Sequence, residues 1–316
     1  MQQNQTQPYP PNSSVDDEID LKELFSALWK GKWLIITVTV LFAIGSVIFA
    51  IKQPNIYKSD ILLAPAENAS GGGLSKMAGQ LGGLAALAGV NIGGAEASQA
   101  DLAVQVIKSR KFIDNFIKEH DLLVPIMAVK GWDLATNQLL VDDKLYNINS
   151  KQWLRKPEGL RGAKPTAQEA YEVFKKDVLS VNQDKESGLY TISVMYYSPY
   201  TAQQWVTWLV QDINKVMRER TITETTQNLA YLNTQLQKTA VADMQATFYT
   251  LIEEQTKSLM LAEVQDEFVF KIVDPAVVPE VKDKPKRALI CILGSLLGGM
   301  LGVAIVLVRF AFRKEG

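Results

Sequence analysis

Side chains able to do covalent or metal chemistry are scarce in this 316-residue chain. The one histidine, His120, sits in Lys118-Glu119-His120-Asp121, where the spacing predicts a helix end. A solvated or dipole-complementing imidazole is the expected role there. The one cysteine, Cys291, lies inside a long apolar run and reads as a small hydrophobe. One histidine and no second cysteine leave no usual ligand set for a transition metal, and no cofactor is expected. A Ser–His–Asp triad would have a single placement for its base, and no Gly-x-Ser-x-Gly turn occurs. Asp142-Asp143 and Glu253-Glu254 are paired carboxylates, but adjacent residues on a helix or strand point apart, so both pairs read as surface charge. A two-carboxylate glycosidase, whose acids can be distant in sequence, is the one enzyme class these residues leave open. Gly71-Gly72-Gly73 lacks the Gly-Lys-Ser/Thr of a phosphate loop. The formal net charge of -1 gives no electrostatic reason for a nucleic-acid partner. Catalysis is not expected.

The residues that do carry a physical signal are small ones. Gly294-x-x-x-Gly298-x-x-x-Gly302, with Ser295 and Gly299 beside it, makes a continuous stripe within an apolar segment. Such a stripe lets a second helix approach closely, which is how helices associate in lipid. The expected partner is the earlier apolar segment near Gly45-Ser46, or the same segment of a second copy.

Two apolar segments, 33–51 and 288–308, must position that stripe. A bilayer core of about 30 Å needs about 20 apolar helical residues, so each can span, and only a helix satisfies its own backbone there. Ile48-Phe49-Ala50-Ile51 is too bulky for a signal-peptide cleavage site, so the first segment reads as a retained anchor. Two spans put both ends on one side and the stretch 52–287 on the other. Flanking cations vote in opposite directions at the two spans and leave orientation open. Hydrophobic content of 47% suits a globular domain carrying two spans.

Along the chain, 1–14 is rich in Gln, Asn and Pro and reads as disordered. Asp16-Asp17-Glu18-Ile19-Asp20 opens an amphipathic helix with Leu21, Leu24, Phe25 and Leu28 on one face. Trp29 and Trp33 suit a membrane interface. Residues 55–63 read as a strand. The segment 70–98, holding nine of the 20 glycines, reads as a flexible linker or a small-residue element packed against a neighbour. Ser98-Gln99-Ala100-Asp101 resembles a cap, and Leu102, Val106, Ser109, Ile113 and Phe116 mark one helix face running to His120. Thr166-Ala167-Gln168-Glu169 opens another helix, followed by a hairpin over 178–183 and 189–197.

From Tyr200 to Asp274 there is neither Gly nor Pro. Ser198-Pro199 is a start signal, and Trp205, Trp208, Leu209, Ile213, Val216 and Met217 form an apolar stripe. Leu229, Leu232, Leu236 and Ala240 continue as a narrow seam at coiled-coil-like spacing, expected to pack on neighbours. The helix should project, reverse within 237–244 and return, ending in a strand at 268–273 beside the first one. Pro275, Pro279 and Pro285 then impose extended backbone, read as a stiff spacer or a fixed collar. The expected fold is an α+β membrane protein. It has an amino-terminal tail 1–32, span 33–51, an α/β base from 52–198 and 268–287, a helical arm 199–267, span 288–308 and a tail 309–316.

In this order, Asp17-Glu18-Ile19-Asp20-Leu21-Lys22-Glu23-Leu24 leading through Leu28-Trp29 into a span resembles the amino-terminal signature of the Wzz polysaccharide co-polymerases. Ser198-Pro199-Tyr200-Thr201-Ala202-Gln203-Gln204-Trp205, the proline-rich approach 275–285 and the Gly-rich second span are similar to that family as well. The resemblance covers essentially the whole chain. It implies a bacterial inner-membrane protein with two passes, both termini in the cytoplasm, a periplasmic base and arm, and a ring-shaped homo-oligomer. It implies no catalysis but regulation of O-antigen (lipopolysaccharide) chain length, beside a separate polymerase acting on lipid-linked polysaccharide. By the same resemblance, Pro275, Pro279, Pro285, Gly294 and Gly298 are helix-packing and polymerase-proximal positions. An alternative is an export-linked capsule or exopolysaccharide co-polymerase; with only 309–316 after the second span, it would carry no kinase of its own. A third reading, a two-span sensor, lacks a cytoplasmic output module.

Overall fold

The computed structural model describes residues 21–66 and 99–314. The polar amino-terminal stretch, the Gly-rich segment and the Ser98 start signal lie outside the described residues. The chain divides into two compact units, 1–53 with 286–316, and 54–285.

The first unit is helical: α1 (Leu21–Lys30), α2 (Lys32–Lys52) and α9 (Arg287–Lys314). α2 and α9 are both long and apolar enough to cross a membrane. Most of their large side chains face outward, among them Leu41, Phe49, Ile292 and Met300. That surface would be costly in water and is what a lipid-embedded helix presents. Polar side chains in both helices close on their own backbone: Thr37, Thr39, Ser46 and Ser295 each donate to a carbonyl three or four residues back, all at 2.8 Å.

The second unit is built on a four-stranded antiparallel sheet in the order β6-β7-β1-β8. β1 (Tyr57–Pro65) alternates so that Ser59, Ile61 and Leu63 are buried. Along its length it pairs with β7 (Tyr190–Tyr196), and over Leu62–Pro65 with β8 (Phe270–Asp274), across a bulge at Leu62/Leu63. β6 (Leu179–Gln183) and β7 form the expected hairpin. In its turn the Asp184 carboxylate accepts from Ser187 Oγ at 2.7 Å and Glu186 N at 3.0 Å, and Gly188 takes a φ of +71° that disfavours other residues.

Helices cover the sheet. The single helix expected to end near His120 is two, α3 (Gln99–Ile107) and α4 (Arg110–Glu119). Ser109, assigned to a helix face from its spacing, is instead an N-cap whose Oγ accepts from Phe112 N at 3.3 Å. The break resets the face: Ala100, Ala103 and Ile107 are buried, and Leu102 is exposed. α5 (Leu123–Ala128) and the hairpins β2 (Val129–Asp133) with β3 (Gln138–Val141) and β4 (Tyr146–Asn147) with β5 (Gln152–Trp153) lie in a stretch without a strong periodic pattern. α6 (Ala167–Val173) opens on a full capping box, Thr166 with Glu169, and widens into a π-turn at Phe174–Val178 before β6.

α7 (Pro199–Lys238) is a 40-residue helix, about 60 Å long at 1.5 Å per residue. Ser198 caps it and Pro199 takes the first position. Its first half buries Trp205, Leu209, Ile213 and Met217 against the sheet, while Trp208 is half-buried and Val216 exposed. Beyond Met217 only Thr225 is buried along α7, so its distal half leaves the base. The chain reverses at Thr239 and Val241, both extended, inside the expected window. α8 (Ala242–Val264) returns along α7, burying only Ala262.

Candidate functional site

Three regions hold the sequence-selected residues. In the helical unit, Gly294, Gly298 and Gly302 all face α2. A Cβ at Gly294 would lie 2.5 Å from Ser46 Cβ, one at Gly298 2.6 Å from Phe42 Cβ, and one at Gly302 3.0 Å from Ile35 Cα. At Gly294 and Gly298 an added Cβ would collide with the root of an α2 side chain, and at Gly302 it would press on the α2 backbone, so the missing side chains are what let the two helices approach. Gly299 lies at ordinary contact distance from Thr39 Oγ1, 3.7 Å, and Ser295 bonds to Cys291 O within its own helix. Gly45 is different: nothing of α9 lies within 4 Å of its Cβ direction, because the antiparallel crossing presents Ser46 and Phe42 instead. Gly31, between α1 and α2, was not singled out by any motif. It receives Val306 of α9, whose Cγ atoms lie 2.6 Å from where a Cβ would stand.

The prolines lie on the second unit. The segment carrying them is extended and held to the base: Ser59 Oγ donates to Val277 O at 2.8 Å and Gln203 Nε2 to Ala276 O at 3.3 Å. Ile56 N donates to Lys284 O at 2.9 Å, and Asp283 N to Ile56 O at 2.8 Å. Pro275 is exposed, Pro279 half-buried and Pro285 buried. The segment thus packs as an edge continuation of β1 rather than as a free spacer.

Of the seam on the arm, Leu229, Leu232 and Leu236 are half-buried on α7 alongside α8. Ala240 is exposed and lies between the helices, since the reversal begins one residue after α7 ends. Tyr231, Met244, Tyr249 and Met260 leave large apolar area on the arm facing solvent. A two-helix hairpin has too little neighbouring surface to cover them.

At the root of the arm, two polar clusters were not foreseen. Asn214 is buried on α7; its Oδ1 accepts from Val269 N and Phe270 N, both at 2.9 Å, and its Nδ2 donates to Phe270 O at 3.0 Å. It ties the arm's root to the strand that returns from it. His120 is not solvated as expected: Nε2 lies 2.9 Å from Asp212 Oδ2, and the ring stacks on Trp208 with centroids 4.2 Å apart. The α4 end and the α7 face bring these groups together, so the helix terminus is not the imidazole's main partner. At the start of α6, Arg155 grips Glu169 through two 2.7 Å hydrogen bonds while its Nε donates to Gly162 O and Ala163 O. The guanidinium, aided by Thr166 N–H and opposed by desolvation, holds the Glu169 carboxyl at about 2. Among the described residues no group of three or more His, Cys, Asp or Glu could hold a metal.

Two family models match the chain. The Wzz model, "Chain length determinant protein", matches residues 17–120, which take in α1 to α4. The GNVR model, "G-rich domain on putative tyrosine kinase", matches 230–311, from the distal arm through the proline segment into α9. Over its first third the chain matches the chain length determinant (Wzz) family. Among solved structures, a full-length bacterial polysaccharide co-polymerase is 16% identical, with a TM-score of 0.37 over 93% of this chain and 99% of that one. A fragment of the WzzB polysaccharide co-polymerase from Salmonella Typhimurium is 12% identical, with a TM-score of 0.30 over 73% of this chain and 100% of that one. No curated protein matches the chain.

Proposed function

We infer that this chain is a Wzz-family, non-catalytic regulator of O-antigen chain length, acting as an oligomeric scaffold for a separate glycan polymerase on lipid-linked polysaccharide. The chain length determinant match over 17–120 carries this reading. The protein sits in a bacterial inner membrane with both termini cytoplasmic and the unit 54–285 in the periplasm. Copies assemble as a ring through the arm, where Leu229, Leu232 and Leu236, with the exposed Tyr231 and Tyr249, find cover. The glycine stripe holds the two spans as one unit, and the proline collar is held along the edge of the base. A polymerase in the same bilayer contacts these two elements.

A second reading, an export-linked capsule or exopolysaccharide co-polymerase, is favoured by the GNVR match over 230–311. Deleting the gene and resolving each surface polysaccharide by gel separates them. Altered O-antigen lengths with synthesis intact supports the first reading, and altered capsule or exopolysaccharide supports the second. Complete loss of polymer with normal precursor would overturn regulation in favour of an enzyme.

A further inference from the structure

Beside the two chain exits of the base lies an aromatic surface drawn from the start of β1, the β2–β3 hairpin and the first turn of α7. Ile56 and Lys284 bridge there, so the first and last segments of the unit leave side by side. Next to the bridge three rings touch: Tyr57 meets Trp132 edge-on at 5.8 Å, and Trp132 meets Tyr200 at 6.2 Å. Trp132 sits one residue from the tip of the β2–β3 hairpin, where Leu134 is 77% exposed. Val281, three residues before Lys284, is 80% exposed. Lys282 and Lys284 keep their ammonium groups at the surface, against Asn55 Oδ1 and Met195 Sδ. Among the nearby acids, Asp133 accepts from Thr136 Oγ1 and Ala135 N, which hold its carboxyl below the usual range, while Glu280, exposed, and Asp283, half-buried, stand beside Val281 and the two lysines in sequence.

Exposed aliphatic side chains flanked by amphipathic rings and lysines match the chemistry of a bilayer interface, apolar below and phosphate-bearing above. Covalent connection puts that interface within reach. Tyr57 follows Lys52, the last residue of α2, by five positions, and Lys284 precedes Arg287, the first of α9, by three. Extended chain covers at most about 3.5 Å per residue, so the two points lie no more than about 18 Å and about 11 Å from a helix end. The headgroup layer itself is about 5–8 Å deep on each side.

We propose that Tyr57, Trp132, Leu134, Tyr200 and Val281, with Lys282 and Lys284, form a membrane-docking surface whose occupant is the phospholipid interface of the bilayer that holds α2 and α9. Docking there restrains the base against tilting on its two tethers. The proposal rests on α2 and α9 being spans.

The test uses the full chain in nanodiscs with Cys291→Ser, which removes the one cysteine, and single spin labels at Leu134→Cys and Val281→Cys. The ratio of oxygen to soluble nickel-chelate accessibility reports depth, scaled between a label at Val40→Cys in α2 and a glutathione-bound label in buffer. At 134 and 281 the ratio should exceed the buffer value severalfold and fall short of that at 40. A label at Tyr231→Cys, roughly 46 Å along α7 from Tyr200, should read as buffer. Buffer values at 134 and 281 with a deep reading at 40 would overturn docking and leave the spans intact. A buffer value at 40 would overturn both. An interfacial value at 231 as well would show that docking is not a property of this surface. Adding phosphatidylglycerol to phosphatidylcholine discs should raise the ratios at 134 and 281, and Lys282→Gln with Lys284→Gln should remove that rise; no rise, or a rise the double substitution leaves in place, would overturn the role of the lysines.

Discussion

Asn214 shows how much one buried amide can hold. Its side chain satisfies two N–H groups and one carbonyl at Val269 and Phe270, all buried away from water. Asn214→Ala would strand them, and each stranded group costs about 1–3 kcal/mol. We expect about 3 kcal/mol or more of lost stability in urea unfolding, with little loss for a surface control such as Lys215→Ala. Glu169 yields a pH prediction. Its carboxyl is held at about 2 by Arg155, so the contact contributes fully above the pKa of an unfolded glutamate, at about 4.3, and is lost as pH falls toward 2. Wild type should therefore exceed Glu169→Gln in stability by a constant margin at neutral pH, and the margin should shrink between about pH 5 and pH 2. A margin independent of pH would mean that the ion pair is not its source. Neither contact was legible in the sequence. Asn214 meets its partners 55 and 56 positions away and Arg155 meets Glu169 14 positions away, just as His120 meets Asp212 92 positions away. No local pattern encodes such pairs.

Elements whose signals are local were legible. Ser198-Pro199 starts α7 and Thr166 with Glu169 starts α6, because capping joins groups three residues apart. The glycine stripe was legible as a stripe, and the structure supplied its partner atoms. At Gly298 a side chain would drive into Phe42 and the Thr39 backbone. Gly298→Leu should therefore force α2 and α9 apart, at a cost of about 1–3 kcal/mol as in other overpacked sites. Cysteine cross-linking between the two helices should drop, and surface polysaccharide should lose its normal length distribution; wild-type lengths would count against a role for the stripe. On the arm, Leu232→Glu with Leu236→Glu places charge on the seam. The expected result is a smaller assembly on native gels in mild detergent, and an unchanged assembly would sink the proposed arm contacts. Ala240 needs no such test, since the turn carries it off the seam.

For the whole molecule, the base and the arm divide the work. The arm beyond Asn228 adds no buried residue until Ala262, and Asn228 Nδ2 reaches Gln255 Oε1 at 3.5 Å. Replacing 229–254 with a short Gly/Ser loop should therefore leave the thermal unfolding of the base nearly unchanged while abolishing assembly. A collapse in base stability would show that the arm is part of its core. By itself the sequence determined the two spans, the caps, the Gly- and Pro-free run and the scarcity of reactive side chains, because each depends on residue type or on neighbours a few positions apart. Only the tertiary structure decided the register in which β8 meets β1, with Leu63 opposite Ile272, that Gly31 and not Gly45 meets the opposing helix, and that the aromatic rings gather at the base's chain exits. Those outcomes depend on side chains from distant segments competing for the same space, and that competition is settled only when the whole chain has packed.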